Sequence, residues 1–497
     1  MVTESDPESI FIKIHMRNTR KIIFDILLEY FSKNKNLGDL IDRNLKLKNY
    51  KPQDRNLIYQ ISKGVVRRYL TLDFLISEIS GIKIKNIDFL SLIALRIALF
   101  QIIFLNRIPD YSSVNESVEL IKEIKGQKSA NFVNAVLRKA TRIKNLYDFL
   151  EERIKKIKDK IKKESIRYSF PEWLTEYWMQ SYSFDSVRRI FESLNKNPEF
   201  YFRVNTLKIS EKILYELITS AFGNSYEIFL DGASFKLKDN LDKFMNSEFI
   251  SNGFTFVQNL SSQVAVTYFL NPQPGEKILD ICSAPGGKSI SSAIKMKNTG
   301  EIFAVESNEK RFEILEDNLK KMSAGIVKSI NADAARSDFL HSGKENKSVK
   351  LEKSHKNYNK YFDKIFFDMP CSSFGTISKN PDAKYNKNID KLTRLKENAI
   401  RIIENTEPYL KRGGRIIFYT CTLSKIENED VINYFLDSHK GRYIVDNRES
   451  LKKMVNENIK DFPELKNLLS STEKIIEIMP YYLNSEAASI CSLIKVK

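Results

Sequence analysis

Three of the four cysteines stand in short motifs of the kind expected of active-site loops, two of them marked by glycine or proline. Cys282 lies in Cys282-Ser283-Ala284-Pro285-Gly286-Gly287-Lys288, Cys371 in Asp368-Met369-Pro370-Cys371-Ser372-Ser373, and Cys421 in Tyr419-Thr420-Cys421-Thr422. Cys491 sits in a terminal apolar run and reads as a small buried hydrophobe. A reactive thiol needs partial exposure and a polar setting, and Cys371 and Cys421 have both in prospect, each just past an apolar, strand-like run. Two such thiols beside a turn shaped for a nucleotide-type cofactor point to methyl transfer onto an unactivated pyrimidine carbon. A thiolate adding at carbon 6 makes carbon 5 enamine-like and able to accept the methyl group.

The turn itself is Leu279-Asp280-Ile281-Cys282-Ser283-Ala284-Pro285-Gly286-Gly287-Lys288, a strand running into a glycine pair and then a helix. Small residues let the backbone approach a ligand, and the helix N-terminus offers N–H groups to a phosphate or an amino-acid carboxylate. The string is neither a P-loop nor a complete dinucleotide fingerprint. Glu306 ends the next apparent strand, where an acid commonly holds ribose hydroxyls. Asp333, after the weaker strand signal at Ile330-Asn331-Ala332, could accept from an adenine amino group; an ordinary loop aspartate is the plain alternative.

These residues need a scaffold that delivers strand ends to one edge. From about residue 251 short apolar runs alternate with helices: 277–281, 302–305, 364–367 and 415–419 read as buried strands, with helices over 311–322 and 392–410 between them. This is the pattern of a doubly wound α/β domain with a mainly parallel sheet, whose loops at the carboxyl strand ends form the ligand crevice. Cys282, Cys371 and Cys421 would then share one sheet edge. Residues 166–250 mix helix and strand signals and read as a small α+β subdomain. Residues 1–145 read as an all-helical bundle, with Ile93, Ile97, Phe100 and Phe104 at helical spacing, Pro109 breaking the long apolar helix, and Gly38, Gly64, Gly81 and Gly126 near helix ends or turns. A charged linker helix joins the two over 146–165. The Lys-, Asn- and Ser-rich stretch 341–360 reads as a solvated insert.

The 497-residue chain has length for roughly three domains. Four irregularly spaced cysteines exclude a disulfide scaffold, and with no C-x-x-C pair and four scattered histidines a zinc site is not expected. No signal peptide is visible and the run 89–105, interrupted by Arg96 and Gln101, reads as a core helix, so the cytoplasm is the expected location. A net charge of +17 favours a polyanionic partner, although a Lys- and Asn-rich composition alone could produce it.

Taken together, the cofactor turn, Glu306, Asp333 and the two thiol motifs resemble the RNA (cytosine-5) methyltransferases of the Sun and Nop2 type. The helical part narrows this. Asp54-Arg55-Asn56-Leu57, Gly64-Val65-Val66-Arg67-Arg68, Leu99-Phe100-Gln101, Arg107-Ile108-Pro109, Val114-Asn115-Glu116-Ser117-Val118 and Phe132-Val133-Asn134-Ala135-Val136-Leu137-Arg138 look like a NusB-type RNA-binding domain. That combination is similar to the bacterial 16S ribosomal RNA cytosine-5 methyltransferases. The resemblance implies a NusB-like bundle over 1–145, an RNA-recognition subdomain over 166–250 and a Rossmann-like methyltransferase domain over 251–497. It implies S-adenosylmethionine as cofactor, with no metal, and RNA, foremost 16S ribosomal RNA, as partner, with no membrane and no obligate protein partner. Cys282, Ser283, Ala284, Pro285, Gly286, Gly287, Lys288, Glu306, Asp333 and Asp368 would contact the cofactor. Cys421 would be the nucleophile, Cys371 the thiol that assists product release, and Asp368 would also face the cytosine. Arg203 and Asn205 match an Arg-Val-Asn string that supports RNA contact. The chain departs from the family pattern in having Glu306 for an aspartate and Thr422 for a serine.

Three rivals stay open at this level. The thiols could exchange roles, as in DNA cytosine-5 methyltransferases, whose Pro-Cys is the nucleophile. The chain could be a non-catalytic RNA-binding factor of the antitermination kind, which the helical part alone would allow. It could also act on another RNA, or on a protein or small molecule, although those last two give no reason for two thiols.

Overall fold

Apolar residues at helical spacing fold the first part of the chain into helices packed around one that is buried on every side. The computed structural model describes residues 7–33, 35–46, 50–105, 108–342, 344–345, 358–470 and 474–497. The chain divides into two compact units, one of Met1–Asn195 with Lys379–Asn386 and one of Lys196–Ser378 with Lys387–Lys497.

In the helical unit, Phe89–Phe104 is the central helix, with Leu92, Ile93, Ala94, Leu95, Ile97, Ala98 and Leu99 all buried. A helix apolar all round belongs in a core, and no described helix is long and apolar enough to cross a membrane. Asp88 caps it by accepting from the Ser91 amide at 3.0 Å, and Pro109 precedes the next helix, Asp110–Lys125. Arg96 is buried because Asp73 takes its guanidinium through two 2.7 Å hydrogen bonds while the Phe31 ring lies 4.4 Å away. Gly81 and Gly126 end helices at positive φ. Gly64 does not: it lies inside Pro52–Ser80, where a Cβ would fall 1.9 Å from Phe100 Cζ. Its absent side chain makes room for a ring, a reason that local sequence does not show. Arg107 and most of the 341–360 insert, positions 343 and 346–357, lie outside the described residues.

The expected linker is two helices, Leu146–Lys155 and Lys160–Tyr168, with Asp159 capping the second. The following helices, Glu172–Ser181 and Phe184–Leu194, also belong to the helical unit. So does a short loop from far along the chain. In it Lys384 is fully buried, donates to the Arg67 carbonyl at 2.9 Å and lies 4.1 Å from the Phe170 ring. Tyr385 donates its hydroxyl to the Ser169 carbonyl at 2.6 Å.

The second unit opens with a four-stranded sheet of β1 (Tyr201–Val204), β2 (Tyr226–Phe229), β3 (Ser234–Leu237) and β4 (Thr255–Val257), ordered β2-β3-β1-β4. The helix Glu211–Phe222 covers it through Leu214 and Ile218, over Phe202, Phe235 and Phe244. The large sheet follows: β5 (Lys277–Ile281), β6 (Glu301–Glu306), β7 (Val327–Asn331), β8 (Lys344–Glu345), β9 (Phe362–Asp368), β10 (Leu410–Thr420), β11 (Tyr443–Val445), β12 (Ile476–Ile478) and β13 (Ala488–Lys495). Its order is β11-β13-β10-β9-β5-β6-β7-β8, with β12 beside β13. The strands β10, β9, β5, β6 and β7 are mutually parallel. The rest pair antiparallel. The chain runs outward from β5 to β7 and returns to the other side of β5 at β9, so the topological switch point lies between β5 and β9. The helix expected to reach Leu410 instead ends at Thr406, just ahead of Pro408.

Candidate active site

Because β5, β9 and β10 are adjacent and parallel, their carboxyl ends share one edge, and each ends in one of the cysteine motifs. At β5 the chain turns through Cys282 at φ 59° and Gly286 at φ 102° before entering the helix Gly287–Lys295. A Cβ on Gly286 would approach Leu315 Cδ1 to 2.8 Å, so both conformation and space ask for glycine there. The turn is fastened from outside. Ser283 donates its amide to the Val305 carbonyl at 3.0 Å, Asn318 donates to the Pro285 carbonyl at 2.8 Å, and the Arg311 guanidinium donates to the Ala284 carbonyl.

Two carboxylates border this turn, and a third, Asp333, lies past β7. Asp280 is buried, with one oxygen accepting from Ser289 and the other, Oδ1, lacking a hydrogen-bond partner; burial pushes its pKa up to about 7. Glu306 is 3 % exposed at the end of β6, where Oε1 accepts from the Asn308 amide at 2.9 Å and Oε2 lies 3.5 Å from the Arg311 guanidinium without a hydrogen bond. Asp333, two residues past β7, is exposed and accepts from the Ala335 amide at 3.0 Å.

Asp368 closes β9 and faces Tyr419 in the β9–β10 register. Its Oδ2 accepts from Lys288 Nζ at 2.7 Å, so the cofactor turn and the thiol loops are joined by an ion pair. Lys288 also lies 4.6 Å from the Tyr419 ring centre. Burial alone would lower the pKa of this ammonium group, but Asp368, with Cys421 and Asp280 nearby, makes the net shift upward.

Beyond the register pair, Cys371 and Cys421 leave neighbouring strands and meet, Sγ to Sγ, at 3.4 Å; both are partly exposed. Ser373 Oγ lies 3.6 Å from Cys421 Sγ. The Cys371 thiol is held well above its ordinary pKa, first by its hydrogen bond to Cys421, then by burial and the nearby Glu427 carboxylate. Either sulfur can donate in this contact. Burial, with Glu306 and Asp368 nearby, raises the Cys282 thiol. Cys491 lies fully buried on β13 opposite Phe418, its pKa pushed up to about 12 by burial.

Several participants escaped the motif reading. Gly375 passes so close to the Cys421 loop that a Cβ would sit 2.4 Å from the Ala487 carbonyl oxygen and 2.8 Å from that of Cys421. Asp280 stands within the cofactor-turn string, but nothing in that string marks it as a buried acid. Glu427 and Asn428 follow the Thr-Cys pair closely enough for a shared loop, which was the available signal. Arg203 and Asn205 are buried rather than turned outward. Arg203 donates to Thr267 Oγ1 at 3.2 Å, and Asn205 to the carbonyls of Gly253 at 2.8 Å and Met322 at 3.0 Å. Their work is to hold the small sheet in place. No group of three or more His, Cys, Asp or Glu among the described residues is arranged to hold a metal ion.

Three family models match consecutive stretches of the chain. The NusB family matches residues 17–142, a ferredoxin-like domain of RsmF/B-type methyltransferases matches 170–223, and the 16S rRNA methyltransferase RsmB/F model matches 267–475. A probable ribosomal RNA small subunit methyltransferase B of Bacillus subtilis is 27 % identical over 96 % of this chain and 99 % of its own length. Its counterpart from Synechocystis is 29 % identical over 86 % of this chain and 90 % of its own. The solved structure titled PH0851 covers 96 % of this chain and 98 % of its own at 24 % identity, with a TM-score of 0.69, a likeness of fold.

Proposed function

We propose, from the premise that this chain belongs to the RsmB/F family of 16S ribosomal RNA methyltransferases and carries a NusB-family domain, that it methylates carbon 5 of a cytosine in small-subunit ribosomal RNA. The observation that carries the reading is the thiol pair at 3.4 Å on the sheet edge that also bears the glycine turn.

The residues around that turn fit S-adenosylmethionine as methyl donor. The first-turn amides of Gly287 and Lys288 suit its amino-acid carboxylate. The unpartnered Asp280 Oδ1 and the buried Glu306 suit its cationic and ribose groups, and the exposed Asp333 suits the adenine edge. When bound, the cofactor supplies an electrophilic methyl group. Every other task falls to the chain.

Cys421 adds through Sγ to carbon 6 of the cytosine. The electron pair of the 5,6 double bond moves to carbon 5, which takes the methyl group. Asp368, once Lys288 yields it, accepts from the cytosine amino group, and from the ring nitrogen when that nitrogen carries a proton in the adduct. Carbon 5 then gives its proton to water, the 5,6 double bond re-forms, and the Cys421–carbon 6 bond breaks with its electron pair returning to the sulfur. Cys371, with its sulfur 3.4 Å from that of Cys421, assists that last step directly or through water. A base inside a duplex cannot reach such a crevice, so the target is an unstacked or looped-out cytosine.

The test is methylation of unmodified small-subunit ribosomal RNA fragments with labelled S-adenosylmethionine and mapping of the product. Label in 5-methylcytosine at a defined position supports the reading. Cofactor binding without transfer to any RNA cytosine would contradict it.

A further inference from the structure

Glu427 is a buried carboxylate to which the mechanism above gives no part. It is 3 % exposed and lies in the loop after β10, just ahead of the helix Glu429–Ser438. It reaches across to the other thiol loop. The Ser372 amide donates to Oε1 at 2.6 Å, and the Ser372 hydroxyl donates to Oε2 at 2.7 Å. Ser372 Oγ is also 2.7 Å from Thr422 Oγ1. An ionised carboxylate only accepts, so the single proton of Ser372 goes to Glu427 and Thr422 must donate to Ser372. The result is a directed chain, Thr422 to Ser372 to Glu427. Ser372 and Thr422 immediately follow Cys371 and Cys421, and both are fully buried.

The next residue serves the same loops. Asn428 accepts from Thr420 Oγ1 at 2.7 Å, donates to the Thr422 carbonyl at 3.1 Å and donates to Ser489 Oγ at 2.9 Å. It therefore grips the chain on both sides of Cys421, while Glu427 grips the chain just after Cys371. Burial pushes the Glu427 pKa up, and hydrogen bonds from Ser372 oppose that push.

We infer that Glu427 is a positioning residue for the release step: through Ser372 and Thr422 it fixes the spacing of the two thiol loops that puts Cys371 against Cys421. It touches neither sulfur and acts only through its neighbours. The inference rests on the assignment of Cys421 as attacking thiol and Cys371 as releasing thiol, and the test separates the two.

The full-length protein is compared as wild type, Glu427→Ala, Glu427→Gln and Cys371→Ala. Each is mixed with small-subunit ribosomal RNA fragment and S-adenosylmethionine, and covalent protein–RNA complex is followed on a denaturing gel while cofactor binding is measured by calorimetry. Glu427→Ala binds S-adenosylmethionine as wild type does but releases RNA about tenfold more slowly, the scale expected from losing hydrogen bonds to a charged group, so covalent complex persists. Glu427→Gln keeps an acceptor oxygen for the Ser372 amide and an amide group for its hydroxyl, and restores release to within about threefold of wild type. Release by Glu427→Ala at the wild-type rate overturns the inference, as does lost activity without any covalent complex, or a glutamine variant no better than alanine. If Cys371→Ala itself traps no complex, the two-thiol assignment fails and the inference falls with it.

Discussion

Asp280 keeps a carboxyl in a place that favours its neutral form. Burial raises its pKa from the ordinary carboxylate range to about 7, the Ser289 hydroxyl opposing that shift in part. A carboxylic acid whose folded pKa exceeds its unfolded one contributes stability that is complete below the unfolded value and lost as pH climbs through the folded value. The ligand-free protein should therefore lose up to a few kcal/mol from this residue between about pH 4 and above pH 7. Asp280→Asn removes the dependence while leaving Ser289 an acceptor. Thermal melts of both proteins from pH 5 to pH 8 should show the wild type falling relative to the variant; a constant difference would contradict the assignment. A bound cationic cofactor group beside Oδ1 would favour the ionised form, so the same residue would make cofactor binding stronger at higher pH. Nothing in the local string announces this, because the shift comes from burial that only the folded sheet provides.

At the level of elements, close approach decides where glycine is obligatory. Gly64 lies mid-helix against the Phe100 ring, and Gly375 lies between two carbonyl oxygens at the thiol loops. For Gly64→Ala, overpacking costs about 1–3 kcal/mol, against about 1 kcal/mol gained from helix propensity, so the variant should melt below wild type. A higher melting temperature would mean that the ring moves aside freely. Gly375→Ala overlaps backbone rather than a mobile side chain. It should cost about 3 kcal/mol and displace the Cys421 loop, read as lost methyl transfer with cofactor binding retained. If methyl transfer persists at the wild-type rate, the close approach is not needed for the thiol geometry. These positions also show what the sequence could and could not disclose. Strands β5, β6, β9 and β10 were readable because buried parallel strands are nearly continuous apolar runs. The strand-end motifs followed from them. The role of Gly64 was not readable, since its partner lies on another helix. Nor was the burial of Arg203 and Asn205, because a charged and an amide side chain at a strand end look the same from sequence whether they face solvent or, as here, Thr267 and the Met322 helix end. Glu427 stayed hidden for the same reason: its partner Ser372 precedes it by a whole helix and strand.

Across the whole molecule, the charge of +17 and the NusB-family part argue for a polyanionic substrate. Affinity for small-subunit ribosomal RNA should fall steeply between about 50 and about 200 mM salt, with log affinity linear in log salt concentration. Affinity indifferent to salt would place recognition in something other than phosphate contact. The helical unit is not only an N-terminal attachment, since residues 379–386, which follow the Cys371 motif in the chain, are built into it through Lys384 and Tyr385. The central claim remains the division of labour between two sulfurs 3.4 Å apart. It is tested most directly by trapping: Cys421→Ala and Cys371→Ala are each incubated with RNA and S-adenosylmethionine, then run on a denaturing gel. Cys421→Ala should show no activity and no covalent complex, and Cys371→Ala a stable covalent RNA complex. A stable complex with Cys421→Ala would contradict it and hand the attack to Cys371.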